Sequence, residues 1–100
     1  MNSEQLSELV VDTLGEVKGQ HIVKLDVSKM TTVTDYMVVA SGNSNRHVKA
    51  LAKAVAEKAK AAGRRPGGIE GEEGSDWVLL DLGDTLVPVS YTHLRSHETD

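Results

Sequence analysis

A short turn and two carboxylates in this chain have the residue types that could support metal-dependent chemistry. The turn is Gly-Asn-Ser at 42–44, and Asp81 and Asp84 follow it later in the chain. Such chemistry needs carboxylates that project together and hold two metal ions. Gly83 lies between the two aspartates and predicts a hairpin turn there, so they straddle the turn and cannot both project from one strand face. The pattern therefore argues against catalysis.

Thiol and metal chemistry have little support in the sequence. The chain has no cysteine, which excludes a disulfide framework, a thiolate nucleophile and a thiolate metal site. His93 and His97 are four residues apart, a spacing compatible with zinc on a helix. Thr92, Ser96 and Thr99 make that segment a poor helix, however. We therefore predict no metal site and no cofactor.

Charge is separated along the chain. The net charge of −4 argues against a protein that wraps nucleic acid by bulk electrostatics. Residues 46–65 carry seven bases and one acid, hence +6, whereas residues 70–84 carry six acids and no base, hence −6. Such a charge dipole suits oriented docking on a charged partner. The N-terminus does not resemble a signal peptide and no stretch is apolar enough for a membrane span, so we expect a cytoplasmic protein.

Hydrophobic periodicity in the first half predicts one helix and two strands. A helix is expected from about Ser3 to Lys18, with Asn2 or Ser3 as its cap and Gly19 at its end. Residues 21–27 alternate as a half-buried strand, and residues 36–40 form an apolar run typical of a central strand that is buried on both faces. Along the first strand, one side carries Val23, Leu25 and Val27.

The second half predicts one helix and a hairpin. Ser44 opens a helix that ends before Gly63, and the glycine-rich residues 64–75 are typical of a loop. Residues 77–82 and 85–89 form two strands joined by a two-residue glycine-aspartate turn. The helix is expected to face inward through Val48, Leu51, Ala52, Val55 and Ala59. The order is α-β-β-α-β-β, an α+β fold with a mixed sheet packed by helices.

Five strings occur in order at residues 26–27, 34–42, 44–48, 70–71 and 76–84. Together they resemble the signature of the bacterial ribosomal silencing factor family, related to plant Iojap, and the match covers most of the chain, from Leu6 to about Val87. The resemblance implies a nucleotidyltransferase-like core without catalytic residues. It also implies binding to the large ribosomal subunit through its ribosomal protein fourteen, hindered joining of the small subunit and repressed translation under nutrient limitation. The alternative function is a nucleotide-binding or nucleotidyltransferase enzyme that uses Ser44, Asp81 and Asp84.

The C-terminal end departs from the family pattern. We assign residues 1–89 to a family domain truncated at its C-terminal end, and residues 90–100 to a non-family tail that we expect to lack order. Pro88 stands where members usually have His, before a C-terminal helix. Because proline has no N–H, it is tolerated mainly in edge strands, and we expect the last strand to be short or frayed. Self-association through the bared sheet face, giving a homodimer, is left open.

Six residues are candidates for partner binding: Trp77, Asp76, Glu70, Asp81, Arg46 and His47. Trp77 begins a strand beside an acidic loop and could equally be an interface anchor or a core residue. Arg46 and His47 lie in the first turn of the second helix, where a minor ribosomal RNA contact is conceivable and helix capping is favoured. Glu70 belongs to the matched Glu-Gly pair.

Overall fold

The computed structural model describes residues 2–71 and 76–91. These residues form two helices that pack on one face of a five-stranded sheet. The elements are α1 (Ser3–Glu16), β1 (Gln20–Asp26), β2 (Tyr36–Gly42), α2 (Asn45–Ala61), β3 (Gly68–Glu70), β4 (Trp77–Asp81) and β5 (Thr85–Tyr91). The α+β class and the mixed sheet are as the sequence predicts. The strand β3 was not predicted and lies in the segment interpreted as a loop.

Helix α1 begins at a capping box and ends slightly before the expected glycine. The Asn2 side chain accepts a hydrogen bond from the Gln5 N–H, and the Gln5 side chain accepts from the Asn2 N–H. These bonds satisfy N–H groups that the first turn leaves without partners. At the other end, Lys18 adopts a positive φ of 65° and the Gly19 N–H donates to the Leu14 carbonyl at 2.7 Å.

Helix α2 follows its sequence pattern closely. The Ser44 hydroxyl accepts a hydrogen bond from the His47 N–H at 3.0 Å and caps the helix, as expected. All five residues predicted to face inward are buried. The helix packs tightly against the end of β2. A Cβ added to Gly42 would lie only 2.9 Å from the Val48 nitrogen, which is too close. Glycine at position 42 therefore allows the close strand-to-helix joint.

The strand order is β1-β2-β5-β4-β3, with β2 and β5 parallel and the other pairs antiparallel. The hairpin between β4 and β5 is confirmed, with the Leu82 N–H donating to the Thr85 carbonyl at 2.9 Å. The expectation of a short or frayed last strand is wrong. Strand β5 runs to Tyr91 and lies in the centre of the sheet. The remaining tail, residues 92–100, lies outside the described residues.

Pro88 is tolerated in this central strand because of its register. The pair Leu82–Thr85 and the bond from the Tyr91 N–H to the Asp76 carbonyl mark hydrogen-bonded positions of the β4–β5 ladder. Since such positions alternate, Pro88 stands opposite Leu79 at a non-hydrogen-bonded position. Its missing N–H therefore falls on the β2 side. On that side, the residue pairs between β2 and β5 stop at Met37–Leu86 and resume at Ala40–Val89, so that Pro88 is not among the paired residues.

The core lies between the helices and one face of the sheet, which we call the covered face. Its strand side chains are at most 6% exposed and come from Val38, Ala40, Val78, Leu80, Val87 and Val89. The expectation that β2 is buried on both faces is wrong, because helices cover only one of them and Met37 and Val39 on the other are half-buried. In β1 the apolar side chains Val23 and Leu25 are 47% and 43% exposed.

Candidate functional site

The second face of the sheet carries apolar side chains that no described helix covers, and we call it the open face. Strand register places these residues together, because directly paired residues project to the same side. Its members are Val23 and Leu25 of β1, Met37, Val39 and Ser41 of β2, Leu86, Pro88 and Ser90 of β5, Trp77, Leu79 and Asp81 of β4, and Glu70 of β3. The open face is therefore apolar at its centre and acidic towards β3.

Trp77 is the largest side chain of the open face and is 49% exposed. The other two aromatic residues belong to the covered side, where Tyr91 packs against the core and Lys24 lies over the Tyr36 ring at 5.0 Å. The Trp77 backbone is approached closely by Gly71, whose φ is +114° and where an added Cβ would clash with the Trp77 carbonyl. Glycine at position 71 thus lets the chain turn beside Trp77.

Three acidic candidates lie on β3, on β4 or directly before β4. Asp81 projects to the same face as Trp77, four residues further along β4, which corresponds to roughly 13 Å. Glu70 pairs with Leu79 and so joins the same face from β3. Asp76 immediately precedes Trp77, and all three carboxylates are exposed. One Asp81 oxygen accepts the Gly83 N–H at 2.8 Å, which orients the carboxylate at the turn.

The two basic candidates lie in the helical layer, at the end of the sheet where Trp77 pairs with Ser90. Arg46 is exposed in the first turn of α2. The His47 ring is engaged within the chain, since its Nδ1 accepts from the Asn43 N–H at 3.0 Å and its Nε2 lies 2.7 Å from the Val17 carbonyl. This pattern assigns the proton to Nε2. His47 thereby connects the end of α1 to the start of α2.

The candidate catalytic residues are not brought together. Asp84 sits at the start of β2, where its carbonyl accepts from the Tyr36 N–H, whereas Ser44 follows the other end of that strand. The seven residues of β2 separate them by roughly 20 Å. Asp84 also pairs with Arg64 at 3.1 Å. Among residues 2–71 and 76–91, no group of three His, Asp or Glu side chains could hold a metal ion. His93 and His97 lie outside these ranges.

Sequence reasoning missed the aliphatic part of the open face. Val23, Leu25, Met37 and Leu79 were not among the candidate residues, although strand alternation could have placed Leu79 beside Trp77 and Asp81. The cross-strand pairs that join β1 and β2 to this surface depend on strand order, which alternation does not specify. Within the described residues, no helix is both long and apolar enough to cross a membrane.

Comparison with known proteins assigns the fold and family. The model of the family described as ribosomal silencing factor during starvation matches residues 1–97. A ribosomal silencing factor of Chromobacterium violaceum is 43% identical over 97 residues, covering 97% of this chain and 80% of the relative. A crystal structure of a protein from the same organism has a TM-score of 0.88 at 45% identity, covering 91% of this chain and 76% of that one.

A more distant similarity reaches a eukaryotic protein. The mouse mitochondrial assembly of ribosomal large subunit protein 1 is 28% identical over 95 residues, covering 92% of this chain and 40% of the relative. The family model and the bacterial relative each span nearly the whole chain. With its mixed five-stranded sheet and two packed helices, this chain belongs to the ribosomal silencing factor family.

Proposed function

We propose that this chain binds the large ribosomal subunit through the open face, hinders joining of the small subunit and so represses translation under nutrient limitation. The observation that carries the proposal is the half-exposed Trp77 at one end of an apolar sheet face. Family membership supports the silencing role, and the name of the mouse relative connects a protein with this type of domain with the large subunit. The site of action is the cytoplasm, where the subunits join.

Trp77 is proposed as the anchor of the contact with ribosomal protein fourteen of the large subunit. Tryptophan is enriched among residues that dominate binding energy, particularly where neighbouring apolar groups exclude water. Val23 and Leu25, both more than 40% exposed, extend the apolar area to the β1 edge. The surface therefore offers a large aromatic group and an aliphatic surround to one partner.

Charge orients this contact. Asp76 directly precedes Trp77, and Glu70 and Asp81 share the open face with it. These carboxylates favour a basic protein surface, because complementary charge steers association and sets the docking orientation. Arg46 is exposed at the same end of the sheet and is proposed to meet an RNA phosphate in a minor contact. His47 supports that contact by holding the turn that precedes Arg46 through its bond from Asn43.

Co-sedimentation with purified subunits tests the proposal. We expect the wild-type chain to pellet with large subunits in preference to small ones and to reduce subunit joining as its concentration rises. Trp77→Ala should weaken large-subunit binding by about tenfold or more. Ile69→Ala is the matched control, because Ile69 is 59% exposed but projects to the helical side of the sheet.

Two results would contradict this function. One is equal pelleting with large and small subunits at low salt. The other is unchanged large-subunit binding by Trp77→Ala when its thermal unfolding matches that of the wild type. If Ile69→Ala loses binding and Trp77→Ala does not, the contact lies on the helical side of the sheet.

A further inference from the structure

A concave groove lies between α2 and the strands β3 and β4, on the opposite side of the sheet from Trp77. Its volume is about 460 Å³. The floor is aliphatic and is formed by Ala52, Ala56, Pro66, Ile69 and Val78. The open face and this groove use opposite sides of the same strands, since Val78 and Trp77 are neighbours in β4 and project in opposite directions.

Ile69 gives the groove an exposed apolar wall. It pairs with Leu80 across β3 and β4 and therefore projects to the covered face, yet it remains 59% exposed. The reason is local, because β3 is only three residues long and forms the edge of the sheet, whereas α2 packs against β2, β4 and β5. Covering Ile69 would remove apolar surface from water, which favours binding of an apolar group.

The rim of the groove on α2 is basic. Lys53 and Lys60 are exposed, line the groove and are seven residues apart, so two helical turns of about 10.5 Å separate them on one helix face. Glu57 lies between them on the same rim. Lys49 also lines the groove but is half-buried. An occupant would therefore meet exposed positive charge at Lys53 and Lys60, with the negative charge of Glu57 between them.

We propose that this groove binds an acidic, aliphatic helical segment of a partner protein. Aliphatic side chains of the segment would cover Ile69 and the alanines of α2, and carboxylates seven positions apart would meet Lys53 and Lys60. Because the centre of the segment is apolar, it places no carboxylate opposite Glu57. This is helix-in-groove recognition, in which apolar anchors give binding energy and charges give orientation. The inference is independent of the ribosomal role of the open face.

The floor favours a peptide over RNA. Single-stranded RNA is commonly held by base stacking on aromatic side chains, and the lining side chains are aliphatic or charged. Phosphates could meet the lysines but would leave Ile69 and the alanine floor without an apolar partner. The combination of apolar floor and basic rim is therefore used fully only by a segment with both aliphatic and acidic groups.

Fluorescence anisotropy with a labelled synthetic peptide tests this inference. The peptide is helical, with leucines at its centre and glutamates seven positions apart. We expect saturable binding that weakens about tenfold in the double variant Lys53→Glu and Lys60→Glu, and severalfold in Ile69→Ser. The matched charge control is Lys29→Glu with Lys58→Glu, both exposed and outside the groove. It should reduce binding by less than about threefold.

Further probes separate this groove from other contacts. Trp77→Ala should bind the peptide like the wild type, and polyglutamate should bind more weakly because it lacks apolar anchors. The inference is overturned by absence of saturable peptide binding, by equal losses in the two charge variants, or by a uridine oligonucleotide that binds the groove more tightly than the peptide. Thermal unfolding of each variant, all at exposed positions, verifies that a loss of binding is not a loss of fold.

Discussion

The covered face and the open face alternate along the same strands, yet they bury very different fractions of their side chains. In β4, Val78 and Leu80 are 6% and 0% exposed, whereas Trp77, which immediately precedes Val78, is 49% exposed. These three side chains are all apolar, so hydrophobicity does not distinguish them. The difference lies in what packs against each face. Alternation decides which residues share a face, and the helices decide which face becomes the core.

The number of helices explains why, within residues 2–71 and 76–91, one face of the sheet is not covered. Two helices, each about 10 Å wide, match the width of a five-stranded sheet, which is roughly 24 Å at 4.8 Å per strand. Both helices direct their apolar residues at the same face, and α1 and α2 also contact each other. The described helices therefore suffice for one face only, and the other keeps its apolar groups available to a partner.

The largest change in stability is expected on the covered face, and truncation of adjacent residues on the two faces tests the comparison directly. Leu80→Ala removes a fully buried side chain and should lower the free energy of unfolding by about 2 to 5 kcal/mol. Leu79→Ala, on the open face, removes a half-buried one and should cost roughly 1 kcal/mol. Urea unfolding measures both. Equal losses would mean that the open face is covered in solution.

A smaller effect is expected at the joint between the two helices. His47→Ala removes both ring hydrogen bonds, one to the Val17 carbonyl and one from the Asn43 N–H, and should cost about 1 to 3 kcal/mol. Arg46→Ala, its exposed neighbour, is the control and should change stability by less than about 0.5 kcal/mol. If His47→Ala instead weakens large-subunit binding with unchanged unfolding, His47 is a contact residue and not a structural clamp.

The smallest effect concerns acid stability at the end of β1. Hydrogen bonds from the Ser28 hydroxyl and the Ser28 N–H hold the pKa of Asp26 below its ordinary value of 3.8. A lowered folded-state pKa stabilises the fold above the ordinary value, and this contribution is lost as pH falls through the folded-state pKa. Urea unfolding of Asp26→Asn should therefore show a slightly weaker loss of stability between pH 6 and about pH 3 than the wild type.

The control for this measurement is Asp12→Asn, which changes an exposed carboxylate on α1. Because Asp26 is unchanged in this variant, its loss of stability between pH 6 and about pH 3 should include the same contribution from Asp26 as that of the wild type. An identical acid response in wild type and Asp26→Asn would show that the bonds from Ser28 do not persist in solution.

Local patterns predicted the parts of the fold that depend on neighbouring residues. The inward positions of α2 follow from spacing, and its start follows from the Ser44 cap. Strand β3 escaped prediction because it has only three residues, the first of them Gly68, and so carries almost no periodic signal. Pro88 was misjudged because its tolerance depends on which neighbour its missing N–H faces, and the sequence does not reveal strand order.

The same limit applies to the candidate site. Trp77 and Asp81 share a face by alternation alone, so their projection to the same side of the sheet could be expected from the sequence. Glu70 joins them only through the β3 register. The bond of His47 to Val17 spans thirty positions of the chain and leaves no local signature. Contacts between distant segments therefore define the surface around Trp77 and remain beyond pattern analysis.

The sheet edges determine how safely an apolar face can be displayed. An unpaired edge strand can recruit another chain and start aggregation. Here β1 carries a bulge between Gln20 and Val23, with His21 at a φ of +53°, and β3 offers only three residues. Both irregularities leave little straight backbone for an incoming strand. The apolar side chains of the open face can therefore bind a partner, while the irregular edge strands disfavour backbone pairing with other copies of the chain. The protein can thus display an apolar face without polymerising along its edges.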